Sequence, residues 1–349
     1  MPDKEIADTE TGARAKGRPS SGRPSRRALL TAAAGAGAAA VFWVPRAPRA
    51  QAQGAPLEEG GIGGTGAPGV TGVVGVLTDF GSLRVNGLTI ETSDATEALD
   101  AFGPIPGAAL ALGHSLSIDA ERLGAGGAFS ARRALLAQPL IGRAEEISET
   151  SLRVMGVEAV LDPGAPRPPA LAVGDRVAIS GLWRGDRVAA SRIDAARNTR
   201  FSVVAGVVSP RERDGLRRIG AVSVRMDDAE GAAAEGRYVT ALGRWSPPED
   251  RRSLRVERLV VGRFAMRPSA LSVEGFLEPI AARPFFRVAG LGHSFDEDLD
   301  LRAFAARRTL FTGPYARRYA PTAATRLPED FATRRRALAA GTLEALPIP

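Results

Sequence analysis

From residue 71 onward, apolar and polar side chains alternate in short runs that glycines interrupt. In GSLRVNG (81–87), Leu83 and Val85 flank Arg84, the period-two pattern of a strand with one buried face. The phrase returns as TSLRVMG at 150–156, GLRRIG at 215–220 and FFRVAG at 285–290. In the third copy Leu216 and Gly220 keep the spacing of Leu83 and Gly87, and in the fourth Phe286 and Gly290 do. Each copy follows an apolar strand with a small residue at one place, aligned as Gly75, Ala144, Gly206 and Gly275. The pattern predicts a hairpin in every copy. Three copies share a second half: LALGHSLSIDAE (110–121), LAVGDRVAISGL (171–182) and AEGRYVTALGR (234–244) align Gly113, Gly174 and Gly236 as one turn. A further strand ends each of them, in AFSARRALLA, RVAASRIDAA and SLRVERLVVG. The fourth copy replaces this half with GHSFDEDLDLRAFAARRTLFTG, which lacks the pattern.

About five strands every 60–70 residues suit a small closed barrel of the oligonucleotide/oligosaccharide-binding (OB) type, closure removing exposed strand edges. The predicted fold class is therefore all-β, with OB-like barrels at 71–138, 139–200 and 201–266 and a degenerate copy at 267–313. A tail at 314–349 holds LPEDFATRRRALAAG, which reads as a helix with Pro328 at its start, Glu329 and Asp330 in its first turn and Gly341 past its end. Arg334, Arg335 and Arg336 read as a basic patch, either solvated or touching a partner.

The first 52 residues read differently. Ser25-Arg26-Arg27-Ala28-Leu29-Leu30 resembles the twin-arginine export motif, an Ala- and Gly-rich apolar run reaches Val44, and Ala50-Gln51-Ala52 offers a cleavage site after Ala52. The apolar run is short for a membrane span of ~20 residues. The expectation is an exported periplasmic protein with no transmembrane span once the signal is removed. Residues 53–70 read as a glycine-rich linker. Gly61–Gly66 fits the dinucleotide-site spacing, but a strand follows it where that site needs a helix.

Charge and composition narrow the chemistry. The formal net charge is +7, of which residues 1–52 carry +5; both lysines also lie there. A mature chain near +2 gives little support to nucleic-acid binding through bulk charge. With no cysteine and only two histidines, His114 and His293, disulfides, thiolate metal sites and multi-histidine sites are excluded within one chain, and no cofactor is implied. Asp296, Asp298 and Asp300 alternate, yet Leu301 and Arg307 stand where a calcium loop needs Gly and Glu.

The run GGIGGTG at 60–66, then FGSLRVNG (80–87) and LAVGDRVAISG (171–181), resembles the bacterial domain-of-unknown-function family 5666. The likeness spans roughly residues 60–263, with a degenerate copy beyond. It implies export and small β domains, and it supplies no activity and no catalytic residues.

Two sets of residues stand out as binding equipment. Trp183 and Trp245 occupy the same place in two copies, either as flat platforms for sugars or bases or as caps on the barrel ends. Arg84, Arg153, Arg217 and Arg287 recur on the polar side of the second strand, as a stripe for acidic polymers or as ordinary solvated side chains. His114 aligns with Asp175 and Arg237 and reads as exposed. With no catalytic constellation visible, the sequence points to a non-catalytic binding or structural module of the cell envelope, its partner a polysaccharide or another envelope protein. A cell-wall or polysaccharide hydrolase and an oligonucleotide-binding protein are the alternatives.

Overall fold

The computed structural model describes residues 69–123, 128–196, 199–246 and 252–348. The expected export signal with Arg26 and Arg27, the cleavage site at Ala52 and the Gly61–Gly66 run lie outside the described residues.

Barrel 1 consists of β1 (Val70–Asp79), β2 (Leu83–Val85), β3 (Leu88–Glu91), β6 (Ser115–Leu123) and β7 (Ala128–Leu136), with the small strands β4 (Glu97–Asp100) and β5 (Gly103–Pro104) at its side. β1 pairs with β2, β2 with β3, β3 in parallel with β7, β7 with β6, and β6 returns to β1. Barrel 2 repeats the circuit with β8 (Leu140–Ile147), β9 (Ser151–Val154), β10 (Val157–Leu161), β11 (Arg176–Arg184) and β12 (Arg187–Ala195). Barrel 3 uses β13 (Ser202–Val207), β14 (Arg217–Ile219), β15 (Val222–Arg225), β16 (Tyr238–Trp245) and β17 (Leu254–Val261), with helix α1 (Asp228–Ala234) between its third and fourth strands. With β13 and β14 of barrel 3 joined through the single Val208↔Ile219 bridge, three closed five-stranded rings with one parallel seam each give the predicted OB-like architecture.

The repeated phrase is the second strand plus its turn. Asn86-Gly87 and Met155-Gly156 all have positive φ, between 50° and 77°, the two-residue turn whose twist matches its flanking strands. The N–H groups of Gly113, Gly174 and Gly236 donate to the carbonyls of Leu77, Ala144 and Val208, which makes those three residues equivalent. This corrects the sequence alignment: the counterpart of Gly75 and Gly206 is Gly142, two residues before Ala144. The chain is crossed closely at all three places: an added Cβ would lie 2.1 Å from Asn86 Oδ1 at Gly75, 2.8 Å from Val154 Cγ1 at Gly142 and, at Gly206, 3.0 Å from Trp183 Nε1 of the neighbouring barrel. A bulge recurs in the fifth strand, where Arg132, Ser191 and Glu257 are the extra residues opposite Asp119/Ala120, Ser180/Gly181 and Leu242/Gly243, and it bends each ring towards closure.

The fourth unit stays open. Its strands are β18 (Ala270–Pro279), β19 (Phe286–Val288), β20 (Arg308–Pro314) and β21 (Ala323–Arg326), paired β19–β18–β20–β21. No third strand follows β19; Phe295, Phe304, Phe311 and Tyr319 pack there with ring centroids 5.5–6.0 Å apart. The sheet runs on past residue 313 through β21 and β22 (Ala345–Pro347), so the segment read as a tail belongs to it. Helix α2 (Phe331–Ala340) starts after Asp330, whose side chain caps the Thr333 N–H, and ends at Gly341 with φ 63°.

First strands join the units in pairs. β1 lies parallel to β18 (Thr71↔Ala270 to Val74↔Val273), and β8 lies antiparallel to β13 (Leu140↔Val204). An edge that one barrel would leave free is covered by the partner's equivalent strand. At the seam of barrels 1 and 2, unit four and α2 sits a buried charge cluster. Arg308 of β20 and Arg334 of α2, both fully buried, face Asp162 and Glu274. Arg308 Nε lies 3.0 Å from Glu274 Oε1, Arg334 Nη2 donates to Asp162 Oδ2 at 2.7 Å, and the Val76 N–H donates to Glu274 Oε2 at 3.0 Å. Burial alone would pull the Arg308 pKa down, but Asp162 and Glu274 hold it above its ordinary value. The basic-patch reading of Arg334–Arg336 therefore fails for Arg334, while Arg335 pairs with Asp79 of barrel 1 at 3.2 Å.

Candidate ligand groove

The structure moves most of the sequence-selected residues away from solvent or into pairs. Trp183 is 4% exposed. Its indole N–H donates to the Ala205 carbonyl of barrel 3 at 2.8 Å, and its ring lies against Gly220 and against Gly290 of unit four. Trp245 reaches the opposite way, donating to Glu145 Oε1 of barrel 2 at 3.1 Å. Both rings sit at the end of the fourth strand as aligned, but they join units, and Trp183 offers no face to a sugar.

The arginine stripe also dissolves. Arg153 pairs with Glu146 at 3.1 Å and Arg287 with Glu278 at 3.0 Å, each across strands one and two, and Arg84 stands opposite Asp79 in the same register. The Phe80 N–H first, then Arg335 and Arg84, hold the Asp79 carboxyl below its ordinary value. In barrel 3 the residue in this register is Arg218, paired with Glu212 at 2.7 Å; Arg217 lies one place earlier, turns inward and meets Glu235 at 2.9 Å. A one-residue slip in alignment moves a side chain to the other face. His114 is buried, contrary to expectation. Its Nδ1 accepts the Ala111 N–H at 2.9 Å, so Nε2 carries the proton to Asp194 of barrel 2, also at 2.9 Å. Burial raises the Asp194 pKa, but His114 and Arg192 outweigh it and the carboxyl stays below its usual range.

What the fold builds instead is a groove between barrel 3 and unit four. Three adjoining hollows of ≈460, ≈280 and ≈470 Å³ share Val207, Gly236 and Arg287 at one junction and Gly292 and His293 at the next. The carboxylates lining the first two are each engaged by an arginine: Glu235 by Arg217, Glu278 by Arg287, Glu297 by Arg318 and Asp186 by Arg187. The third hollow is lined by Arg237, Arg263, Arg267 and Arg317 with Tyr238, Phe264, His293 and Tyr315, and by no carboxylate. The sequence reading did not select these arginines because they sit in connections and not in strands: Arg237 after Gly236, Arg263 and Arg267 between β17 and β18, and Arg317 between β20 and β21.

His293 marks the electrostatics of that end. Its ring stacks near Phe264, its Nδ1 is 2.9 Å from the Tyr315 hydroxyl, and burial, with the Arg263 charge second, lowers its pKa to about 4. A folded-state pKa below the unfolded value means that the unfolded chain takes up a proton first as pH falls. Stability from this group is full above pH ~6.5 and declines towards pH 4, by on the order of 2–3 kcal/mol. Buried Asp119, whose pKa burial raises, contributes with the opposite sign. His293→Gln should therefore shrink the stability difference between pH 7 and pH 4.5, measured by denaturant titration at both; an unchanged difference would place the ring in water.

Among the described residues no helix is long and apolar enough to cross a membrane. Comparison with known proteins adds a family and nothing closer. The family described as Domain of unknown function (DUF5666) matches residues 71–134 and 141–194, which are barrels 1 and 2 almost from end to end. No curated protein and no solved structure matches the chain. Barrel 3 has the same strand circuit but lies outside the matched stretches. Barrels 1 and 2 are thus each similar to the DUF5666 domain, the two matched stretches together covering about a third of the chain.

Proposed function

We propose that this protein is exported through the twin-arginine route and works in the periplasm as a non-catalytic binding module, holding an envelope polysaccharide or another envelope protein in the groove between barrel 3 and unit four. The carrying observation is the groove itself, three adjoining hollows of ≈460, ≈280 and ≈470 Å³ walled mainly by barrel 3 and unit four. Its pairing pattern supports binding over hydrolysis. Glycoside cleavage needs two carboxylates converging on one bond, and here the acids of the first two hollows are each engaged by an arginine. OB-type barrels bind extended ligands on such surfaces.

The test is a binding screen of the chain against envelope glycans and peptidoglycan fragments, with Arg218→Ala and Arg283→Ala beside the parent. Arg218 and Arg283 are exposed side chains lining the groove. Binding that both weaken by about fivefold or more fits loss of charge-assisted contacts. Binding indifferent to both, or none by a folded parent, would overturn the reading.

A further inference from the structure

We propose that the arginine-lined end of the groove is a phosphate-ester site. This deepens the binding reading above by naming the chemistry of one subsite. Four arginines from three segments converge there: Arg237 just before β16, Arg263 and Arg267 in the connection from barrel 3 to unit four, and Arg317 between β20 and β21. Among the described residues none of the four forms an ion pair, and what sets them apart is that they line one hollow together with no carboxylate among its walls. Asp119 of β6, the carboxylate that meets this connection, is taken by the N–H groups of Ala265 and Met266 at 3.0 and 3.1 Å.

Arg263 makes the case specific. It is 5% exposed, its guanidinium lies 3.8 Å over the Tyr238 ring, it donates to the Gly290 carbonyl, and its Nε has no hydrogen-bond partner. A buried cation without a counter-charge is costly, and chains keep one where something else supplies the charge. Arg237, Arg267 and Arg317 are exposed around it. A carboxylate offers two oxygens and satisfies one or two guanidinium forks, whereas a phosphate ester offers up to three non-bridging oxygens and suits more. The volume of ≈470 Å³ admits the attached sugar or glycerol body, and Tyr238, Phe264 and Tyr315 provide apolar faces for it.

The probe is glucose 1-phosphate against glucose, titrated into the full chain at low salt by calorimetry and by imidazole NMR. The expected result is binding of the phosphate ester alone, with shifts at His293 and none at His114. Arg267→Gln and Arg317→Gln, both surface changes, should each weaken it about tenfold, the loss of one charge-assisted contact. Arg213→Gln, exposed in another loop, should not. Equal binding of glucose, unchanged affinity in both variants, or an equal loss in Arg213→Gln would overturn the proposal. Vesicles containing phosphatidylglycerol distinguish the source: retention on them through Arg267 and Arg317 assigns the phosphate to a lipid headgroup, and binding confined to the soluble ester assigns it to a carbohydrate. Glycan binding that depends on Arg218 and Arg283 but not on phosphate would sink this inference alone. Phosphate binding without glycan binding would sink only the polymer reading.

Discussion

Replacing Arg308 with methionine should lower the unfolding free energy by about 3–5 kcal/mol, the cost of stranding a buried counter-charge. Arg308 and Arg334 are both fully buried, with Asp162 and Glu274 as their partners, so the cluster is neutral as a whole. Removing one cation leaves two carboxylates sharing Arg334 where water does not reach. The second change Glu274→Gln should restore part of the loss, because it returns the cluster to one negative and one positive charge. Guanidinium denaturation of the parent, the single variants and the double variant measures this. A loss below about 1 kcal/mol would show that the four groups are solvated and worth no more than a surface pair. The cluster draws on barrels 1 and 2, unit four and α2, so its disruption should lower the transition of the whole molecule and leave no barrel untouched.

Trp183→Ala should cost a further 3–5 kcal/mol or about that, as expected for deleting a fully buried tryptophan. The indole touches three units: it belongs to barrel 2, donates to Ala205 of barrel 3 and packs on Gly290 of unit four. A companion change tests the geometry. Gly220→Ala would put a Cβ 2.3 Å from the Trp183 ring at a residue with φ 56°, so it should destabilise by itself. Combined with Trp183→Ala it should cost less than the sum, since the ring it strikes is gone. Strict additivity would mean that the ring does not occupy the space between Gly220 and Gly290.

Much of the local architecture was legible in the residues. Alternation around Arg84 and Arg153, the Asn86-Gly87 turn and the aligned glycines at 113, 174 and 236 encode strand, turn and strand through short-range sterics, and these survive intact. The missed alignments have one cause. Gly142 and Arg218 are equivalent to Gly75 and Arg84 through hydrogen-bond register, and register depends on bulges and turn lengths that a string of letters does not display. Fourth-unit strands β20 and β21 were obscured because the third strand they would accompany is replaced by an aromatic cluster.

The sequence by itself determined the unit of construction: a five-strand barrel written three times, once more incompletely, and a capped helix near the end. Those features follow from backbone sterics and from a periodicity of two, which act over a few residues. Only the tertiary structure decided what the conspicuous side chains do. Trp183, Trp245, Arg217 and Arg334 read as available for ligands or partners and His114 as exposed, yet all five are spent on contacts within or between units, at separations of 18 to 172 residues. Arg237, Arg263, Arg267 and Arg317, which line one hollow free of carboxylates, come from three different connections, and they meet because barrel 3 and unit four pack side by side. Desolvation and charge pairing are properties of that packing, so the candidate site exists in space before it can be read along the chain.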